Sequence, residues 1–533
     1  MTSIRIAALL GVVLLLAPAA AQPVKDSPSA ARMRADIANL ASDRLKGREP
    51  GTPEFDMAAD YVAGQMKKIG LTPGGDNGGY FQAVPLQAFR PTGPGVLTVK
   101  SAAGAVPLVF GKDYIPGDDP VTAHIKLDLP MVFVGFGLVA PEHGRDDYAG
   151  LNVKGKIAVI LTGAPKSWQT EERAYYMNGR NKRATAMAHG AAAVLAINNL
   201  TREKISPFAN AVRQYRGWGM TWRGKDGKPF VAAPIPSLGL VSVAGASRLL
   251  GADAAKILAS AETPDGAVRG FDLKQSLSAT LDTEIKTVMS KNVIGLVPGS
   301  DPKLKSEYVV LSGHLDHIGI TPPVKGDSIN NGAMDNASGV ATTLEVARLM
   351  QAGKKPRRSA LFLVVTAEEK GLLGAEYFAR NPTVPLSAIT ADVDLDMPLL
   401  TYDFTDVTAF GADRSSIGPA VKRAAAGMNV ALSPDPMPDQ GVFTRSDHYR
   451  FVEVGVPAVF LATGYANGGK KAWEDFWANH YHKPSDDISL PFRYEAAAKF
   501  AALNLAITYT LADADQRATW NKGDFFAAKF AKK

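Results

Sequence analysis

The sequence contains no cysteine among its 533 residues. Disulfide bonds therefore cannot stabilise the fold, and a lipid anchor attached through cysteine is excluded. Any metal site must use histidine and carboxylate ligands, because no thiolate is available. Stability has to come from the packing of apolar residues, which make up 46% of the chain.

The chain also lacks a large excess of charge of either sign. The formal net charge is +7 at pH 7, which is small for 533 residues. The basic residues form short, scattered clusters, and no basic stripe with interleaved aromatic residues occurs. We therefore expect no nucleic-acid partner.

Long hydrophobic runs are absent as well. The apolar run at residues 6–16 is far shorter than the roughly 20 residues that span a bilayer, so no stable membrane anchor is expected. Arg5 precedes this run, and small residues follow it up to Ala21. This is the pattern of a secretory signal peptide with cleavage after Ala21. We expect a secreted or periplasmic protein.

The length of the chain predicts two domains, or three at most. At Val132 the pattern changes to short, glycine-rich strands and helices that suggest a separate module. The predicted division is a signal peptide at 1–21, the first part of the main domain at 22–130, an inserted module at 131–280, the second part of the main domain at 281–515 and a C-terminal tail at 516–533.

The second part of the main domain has the pattern of an α/β protein. Apolar runs without polar alternation occur at 293–297, 308–311, 360–365 and 458–461. Strands that are buried on both faces have this pattern. Helix-like stretches lie between them, so we predict a three-layer α/β sandwich around a mixed, mostly parallel sheet.

Acidic and histidine residues follow the predicted strands. In an open α/β sheet, ligands gather at the carboxyl ends of the strands. His314 follows one strand, Glu368 and Glu369 follow the next, and Asp396 follows a third. Five potential metal ligands therefore reach one edge on separate elements: His314, Asp335, Glu369, Asp396 and His482.

Two histidines and three carboxylates suit a site with two zinc ions. Ions about 3.5 Å apart need a bridging carboxylate and two further ligands each. Asp335 is the predicted bridge, with His314 and Asp396 on one ion and Glu369 and His482 on the other.

Three acidic residues near these ligands have predicted supporting roles. Glu368 stays free of metal and is the predicted general base. Asp316 and Asp486 are close in sequence to the two histidines, and could accept the second imidazole proton of each. We count Asp316 with Glu368 among the catalytic residues.

Each of these residues also has a structural interpretation when it is taken alone. Asp335 could be the N-cap of the following helix, and the Glu368–Glu369 pair could stabilise the positive end of a helix. Such roles do not explain why acids and histidines cluster at successive strand ends. His317 lies near the site but has no ligand position in this assignment. The aromatic residues of 473–481 could line a substrate cleft, but they also have the spacing of a packed helix, which we favour.

Six separated motifs resemble those of the M28 family of metallopeptidases, in the family's order: Ser312–His317, Gly332–Gly339, Ala367–Gly371, Leu395–Met397, Arg445–His448 and Tyr481–Asp487. The Leu45–Arg48 stretch is similar to the family's opening region. The module between the two parts of the main domain resembles the inserted, β-rich protease-associated domain of some members.

This resemblance implies a zinc aminopeptidase that releases N-terminal residues from peptides. A carboxypeptidase or a glutaminyl cyclase on the same scaffold is an alternative, and an inactive, peptidase-like binding protein is a third. Four residues in and just after one motif are candidates for the wall of the substrate site or for a transition-state role, with loop scaffolding as the alternative: Arg445, Ser446, His448 and Tyr449. The sequence leaves the preferred residue and the oligomeric state open.

Overall fold

The structure, a computed structural model, describes residues 26–531. The predicted signal peptide at residues 1–21 lies outside the described residues. Within 26–531, no helix combines the length and the apolar character that crossing a membrane requires.

The strands, in chain order, are β1 (Thr72–Pro73), β2 (Phe81–Pro91), β3 (Val96–Ser101), β4 (Gly104–Pro107), β5 (Tyr114–Pro116), β6 (His124–Phe133), β7 (Val139–Ala140), β8 (Arg145–Asp146), β9 (Ile157–Leu161), β10 (Ala193–Ile197), β11 (Gly219–Trp222), β12 (Ser237–Val241), β13 (Phe271–Val297), β14 (Tyr308–His314), β15 (Ile320–Val324), β16 (Asp327–Ile329), β17 (Ser359–Val365), β18 (Ile389–Asp394), β19 (Asp406–Phe410), β20 (Ala431–Leu432) and β21 (Ala458–Thr463).

The α-helices are α1 (Pro28–Leu40), α2 (Pro53–Ile69), α3 (Thr170–Met177), α4 (Gly179–Ala188), α5 (Leu200–Ile205), α6 (Phe208–Gln214), α7 (Ala246–Leu250), α8 (Ala254–Ala261), α9 (Ser338–Ala352), α10 (Leu373–Arg380), α11 (Ile417–Gly427), α12 (His448–Val452), α13 (Gly469–Asn479), α14 (Tyr494–Ala512) and α15 (Phe525–Phe530).

The first sheet carries the predicted metal ligands. From edge to edge its strands are β11, β2, β13, β17, β14, β18, β21, β19 and β20, and the two-residue strand β1 pairs with the end of β13. The central strands β17, β14, β18 and β21 are parallel, whereas β13 and β19 pair with them in antiparallel fashion. The sheet is therefore mixed with a parallel centre, as predicted.

Apolar runs form the central strands because both faces of this sheet are covered. Every residue of β17 is buried, and each large apolar side chain contributes roughly 1.5–3 kcal/mol by burial. The chain crosses from β14 to β17 through α9 and returns past β14 to β18 through α10. Since such crossovers are right-handed, α9 and α10 lie on opposite faces. This confirms the predicted three layers.

A second sheet forms a unit with its own core. Its strands are β4, β3, β13, β6, β9, β10, β12 and β5. Its hydrophobic core includes residues from Leu97 to Leu281. The long strand β13 belongs to both sheets: its first part pairs with β3 and β6, and its last part with β2 and β17. We call the part of the chain around this sheet the second unit.

The predicted start of the inserted module at residue 131 is wrong. This position lies inside β6, which pairs with β13 and β9 of the second sheet. The second unit already includes β3, and β11 within the predicted module pairs with β2 of the first sheet. Alternating apolar residues predict a strand, but they do not tell which sheet the strand joins.

The predicted C-terminal tail contains the helix α15. Phe526 of this helix is fully buried and packs against Phe443, with 4.8 Å between the ring centroids. Its N-cap residue, Asp524, lies 3.4 Å from the guanidinium of Arg414. The described part of this segment is thus packed against the rest of the protein.

Candidate metal centre

The five predicted ligands meet at the carboxyl ends of the parallel strands. His314 is the last residue of β14, and Asp396 lies two residues beyond β18. Asp335 lies in a helical turn at 333–337 and does not cap α9. Glu369 lies in the loop between β17 and α10, and His482 follows α13. The structural alternatives for Asp335 and for the glutamate pair are therefore wrong, because the pair also precedes α10 by several residues.

Two groups of donor atoms share Asp335. His314 Nε2 lies 3.3 Å from Asp335 Oδ1 and 3.1 Å from Asp396 Oδ1. His482 Nε2 lies 3.3 Å from Asp335 Oδ2 and 3.1 Å from Glu369 Oε2. One carboxylate thus offers one oxygen to each group.

These separations fit tetrahedral zinc. Zinc–ligand bonds of about 2.0–2.1 Å at tetrahedral angles place neighbouring ligand atoms roughly 3.3–3.4 Å apart. The separations of 3.1–3.3 Å in both groups are close to this value. The residues present therefore fit zinc in donor type and in spacing.

His317 also belongs to the site, although no ligand position was predicted for it. Its Nδ1 lies 2.6 Å from Glu369 Oε1 and 3.9 Å from Asp335 Oδ2. It forms, with these two carboxylates, a group of donors close enough to hold a metal ion. The signal in the sequence was its position directly after Asp316, on the same loop as His314.

The charges at the site call for a cation. Burial alone would lower the pKa of His314, but the carboxylates of Asp396 and Glu368 raise it well above its usual value. Burial acts in the same direction on His482, and Glu369 with Asp335 raises its pKa to about 10. The carboxylates outnumber the imidazoles, so positive charge is strongly favoured here.

Glu368 faces the site without joining either donor group. Its Oε2 lies 4.0 Å from His314 Nε2. Burial and the negative charges of Glu369 and Asp396 raise its pKa well above the usual value, against the opposing effect of His314. A carboxyl group in this position can hold or release a proton beside the metal ligands.

The predicted hydrogen bond from the His314 ring to the Asp316 carboxylate is not present in the structure. His314 Nδ1 lies 3.1 Å from the backbone oxygen of Asp316 and 4.0 Å from its Oδ1. The carboxylate instead accepts the backbone N–H groups of Glu368 and Glu369, at 3.0 and 3.2 Å. Asp316 thus positions the glutamate loop.

The predicted contact of Asp486 with the His482 ring is also wrong. Its two carboxylate oxygens accept the backbone N–H groups of Met334 and Asp335, at 2.8 and 3.0 Å. The His482 ring stacks on Tyr481, with 3.9 Å between the centroids. Spacing along the chain suggested the wrong partner, because a carboxylate near a histidine in sequence also reaches backbone groups of other loops.

Arg48 donates hydrogen bonds to the backbone of two loops that carry predicted metal ligands. Its side chain is buried and donates to the backbone oxygens of Leu315, Asn331 and Gly332. The sequence marked Arg48 only as part of a family-like motif. Its contacts link the loop of His314 to the turn that carries Asp335.

The four candidate substrate residues divide into two pairs. Arg445 and Ser446 line the pocket at the metal centre. The hydroxyl of Ser446 contacts the carboxylates of Asp394 and Asp396, at 2.8 Å from Asp396 Oδ2. His448 and Tyr449 are buried and pack against Phe443 instead, which fits the alternative of loop scaffolding.

An apolar pocket opens beside His314 and Glu368. The side chains that line it are mostly large and apolar, and include Met397, Phe410, Phe460, Trp473 and Trp477. Tyr481 also lines this pocket, whereas Phe476 of the same aromatic group is buried in the core. The aromatic residues of α13 therefore serve both the core and the pocket wall.

Fold and site together define an α/β protein with a candidate metal centre at the carboxyl ends of its parallel strands. The sequence model of peptidase family M28 matches residues 292–508. The matched part of the chain contains every predicted ligand and is similar to peptidase family M28.

Individual proteins resemble the chain over shorter stretches. A probable zinc metalloprotease of Pyrenophora teres f. teres is 38% identical over 109 residues, which are 20% of this chain and 22% of that protein. Aminopeptidase Y of Saccharomyces cerevisiae is 27% identical over 227 residues, 41% of this chain and 38% of that protein. The chain thus matches less than two thirds of the length of each.

The structure of an aminopeptidase from Aneurinibacillus sp. strain AM-1 has a similar fold. It superimposes with a TM-score of 0.53 at 21% identity, over 92% of this chain and 94% of that one. The likeness extends over both sheets and confirms the α/β fold.

Proposed function

We propose that the protein is a zinc-dependent aminopeptidase that holds two zinc ions. The observation that carries this proposal is the division of the Asp335 carboxylate between two donor groups, each with its own histidine and second carboxylate. The names of the relatives, a zinc metalloprotease and an aminopeptidase, support it.

Zinc, when bound, supplies Lewis-acid activation of a water molecule and of the scissile carbonyl. Glu368 Oε2 accepts a proton from the attacking water and returns it to the leaving amine. Asp316 holds the backbone of Glu368 in place for this transfer. His317 holds Glu369 Oε1, which leaves Oε2 directed towards His482.

The apolar pocket favours substrates with a large apolar N-terminal residue. It borders the donor group of His314 and Asp396, so a side chain in it places the neighbouring peptide bond at the metal centre. Burying a leucine side chain in such a pocket contributes about 1.5–3 kcal/mol. We therefore propose a preference for leucine, methionine or phenylalanine over glycine.

The experiment combines metal analysis with hydrolysis. We expect about two zinc ions per chain by elemental analysis, hydrolysis of leucine p-nitroanilide, loss of activity on chelation and recovery with zinc. Glu368→Gln should keep the zinc and lose at least about 100-fold in kcat. Hydrolysis that survives complete removal of metal would contradict the proposal.

Blocked peptides separate the alternatives. An aminopeptidase cleaves a C-terminally amidated peptide and leaves an N-acetylated one intact, whereas a carboxypeptidase shows the reverse. A glutaminyl cyclase would release ammonia from an N-terminal glutamine, and an inactive binding protein would do none of these.

We also propose that the module resembling a protease-associated domain corresponds to the second unit, and that residues 1–21 direct export to the periplasm or the medium. Cell fractionation with N-terminal sequencing of the product tests the export. Recovery of the chain in the cytosol with residues 1–21 intact would contradict it.

A further inference from the structure

An open cleft extends from the metal centre towards the second unit. Glu368, Glu369 and His482 line it on the side of the metal centre, and Arg202 of α5 lines it on the side of the second unit. Arg445 borders both this cleft and the apolar pocket. An aminopeptidase that holds the N-terminal side chain in the pocket therefore directs the rest of the peptide into the cleft.

Three of the seven lysine and arginine side chains that line the cleft have a carboxylate partner, and a fourth, Lys182, donates to backbone oxygens. Arg180 pairs with Glu376 at 2.7 Å, Lys370 with Glu49 at 3.0 Å and Arg450 with Glu453 at 2.7 Å. These residues hold the walls together.

Arg202 and Arg445 differ from these four, and the remaining cation, Arg183, is less exposed than either of them. Across residues 26–531, neither guanidinium has a carboxylate within 4.0 Å, and that of Arg202 makes no hydrogen bond. Arg445 donates to neutral groups, the side chain of Gln440 at 3.0 Å and the Tyr481 hydroxyl at 3.1 Å. Both side chains are exposed in the cleft.

Arg202 and Arg445 border the same cleft, and the positive charge of Arg445 acts on Arg202. Crowding by neighbouring protein atoms lowers the pKa of Arg202, and the charge of Arg445 lowers it further. Two like charges at the edge of a cleft, without a protein counter-ion, form a site that an anion stabilises. A peptide substrate offers carboxylates as its anions.

We propose that Arg202 and Arg445 bind a carboxylate of the substrate on the leaving-group side of the scissile bond. This rests on the proposed aminopeptidase function. The carboxylate is either the C-terminus of a dipeptide or an acidic side chain in the second position. Tyr481 connects this site to the metal centre, because it accepts a hydrogen bond from Arg445 and stacks on His482.

Matched substrates test the proposal in the zinc-loaded enzyme. Leu-Ala against Leu-Ala-amide tests the C-terminal carboxylate, and Leu-Glu-amide against Leu-Gln-amide tests the side chain. We expect kcat/KM to be at least about tenfold higher for the charged member of one pair. Arg202→Gln should reduce this ratio towards one. Lys204→Gln, an exposed change on the same helix outside the cleft, should leave the ratio as it is.

The outcomes separate the two proposals. Hydrolysis of the neutral peptides with charge ratios near one in both pairs would overturn the carboxylate site and leave the aminopeptidase intact. Equal ratios in the wild type and in Arg202→Gln would also overturn it. If none of the four peptides is cleaved, the aminopeptidase fails, and the carboxylate site with it.

Discussion

At the scale of single residues, the metal ligands depend on neighbours that never touch the metal. Ser446 is such a neighbour, because its hydroxyl holds Asp396 Oδ2 while Oδ1 faces His314. Ser446→Ala should release Asp396 and weaken zinc binding by about 10–100-fold, which competition with a chromogenic chelator measures. Ser433→Ala removes a similar hydroxyl contact, with Asp406, away from the site and should leave zinc affinity unchanged. Equal affinities in both variants and the wild type would contradict this role.

At the scale of elements, the loop between β17 and α10 is held by Asp316, whose two oxygens accept two backbone N–H groups. Asn at this position has a single acceptor oxygen, so one buried N–H loses its partner. Asp316→Asn should lower the free energy of unfolding of the zinc-free protein by about 1–3 kcal/mol in urea titrations. Asp119→Asn is the matched control, because Asp119 accepts two N–H groups through one oxygen, which Asn retains. A stability loss equal to that of the control would contradict the loop-holding role.

At the scale of the whole molecule, Glu376 joins the two units. It lies on α10, is 1% exposed, and binds Arg180 and the Trp222 ring N–H. Burial would raise its pKa, but the charges of Arg450 and Arg180 outweigh burial and lower the pKa to about 2. The unfolded value is about 4.3. The pairing therefore contributes stability above about pH 4.3, and this contribution is lost as the pH falls towards 2.

This linkage predicts an acid-sensitive interface. Glu376→Gln should cost about 3 kcal/mol of unfolding free energy at pH 7, and the difference from the wild type should shrink between pH 4.3 and pH 2. Urea titrations at several pH values measure it. Glu474→Gln, at an exposed ion pair with Lys470, should show a small difference at every pH. A Glu376→Gln difference that does not change with pH would show that the carboxylate charge is not what holds the units together.

The spacing of apolar residues was sufficient to predict the central strands, because strands covered on both faces need uninterrupted apolar runs. Strand order was sufficient to predict where His314, Glu369 and Asp396 gather, since parallel strands end at one edge. Asp335 and His482 lie on a helical turn and after a helix, so strand order did not place them. The number and type of these ligands suggested two metal ions, which stays a prediction.

Only the tertiary structure decided the contacts between segments that are distant in the chain. It gave Asp316 and Asp486 backbone partners on other loops, placed His317 against Glu369, and brought Arg202 to the cleft of Arg445. It also divided β13 between two sheets. The physical reason is that periodicity and strand order are local properties of a sequence. Which hydrogen bonds a buried carboxylate makes depends on every element packed around it.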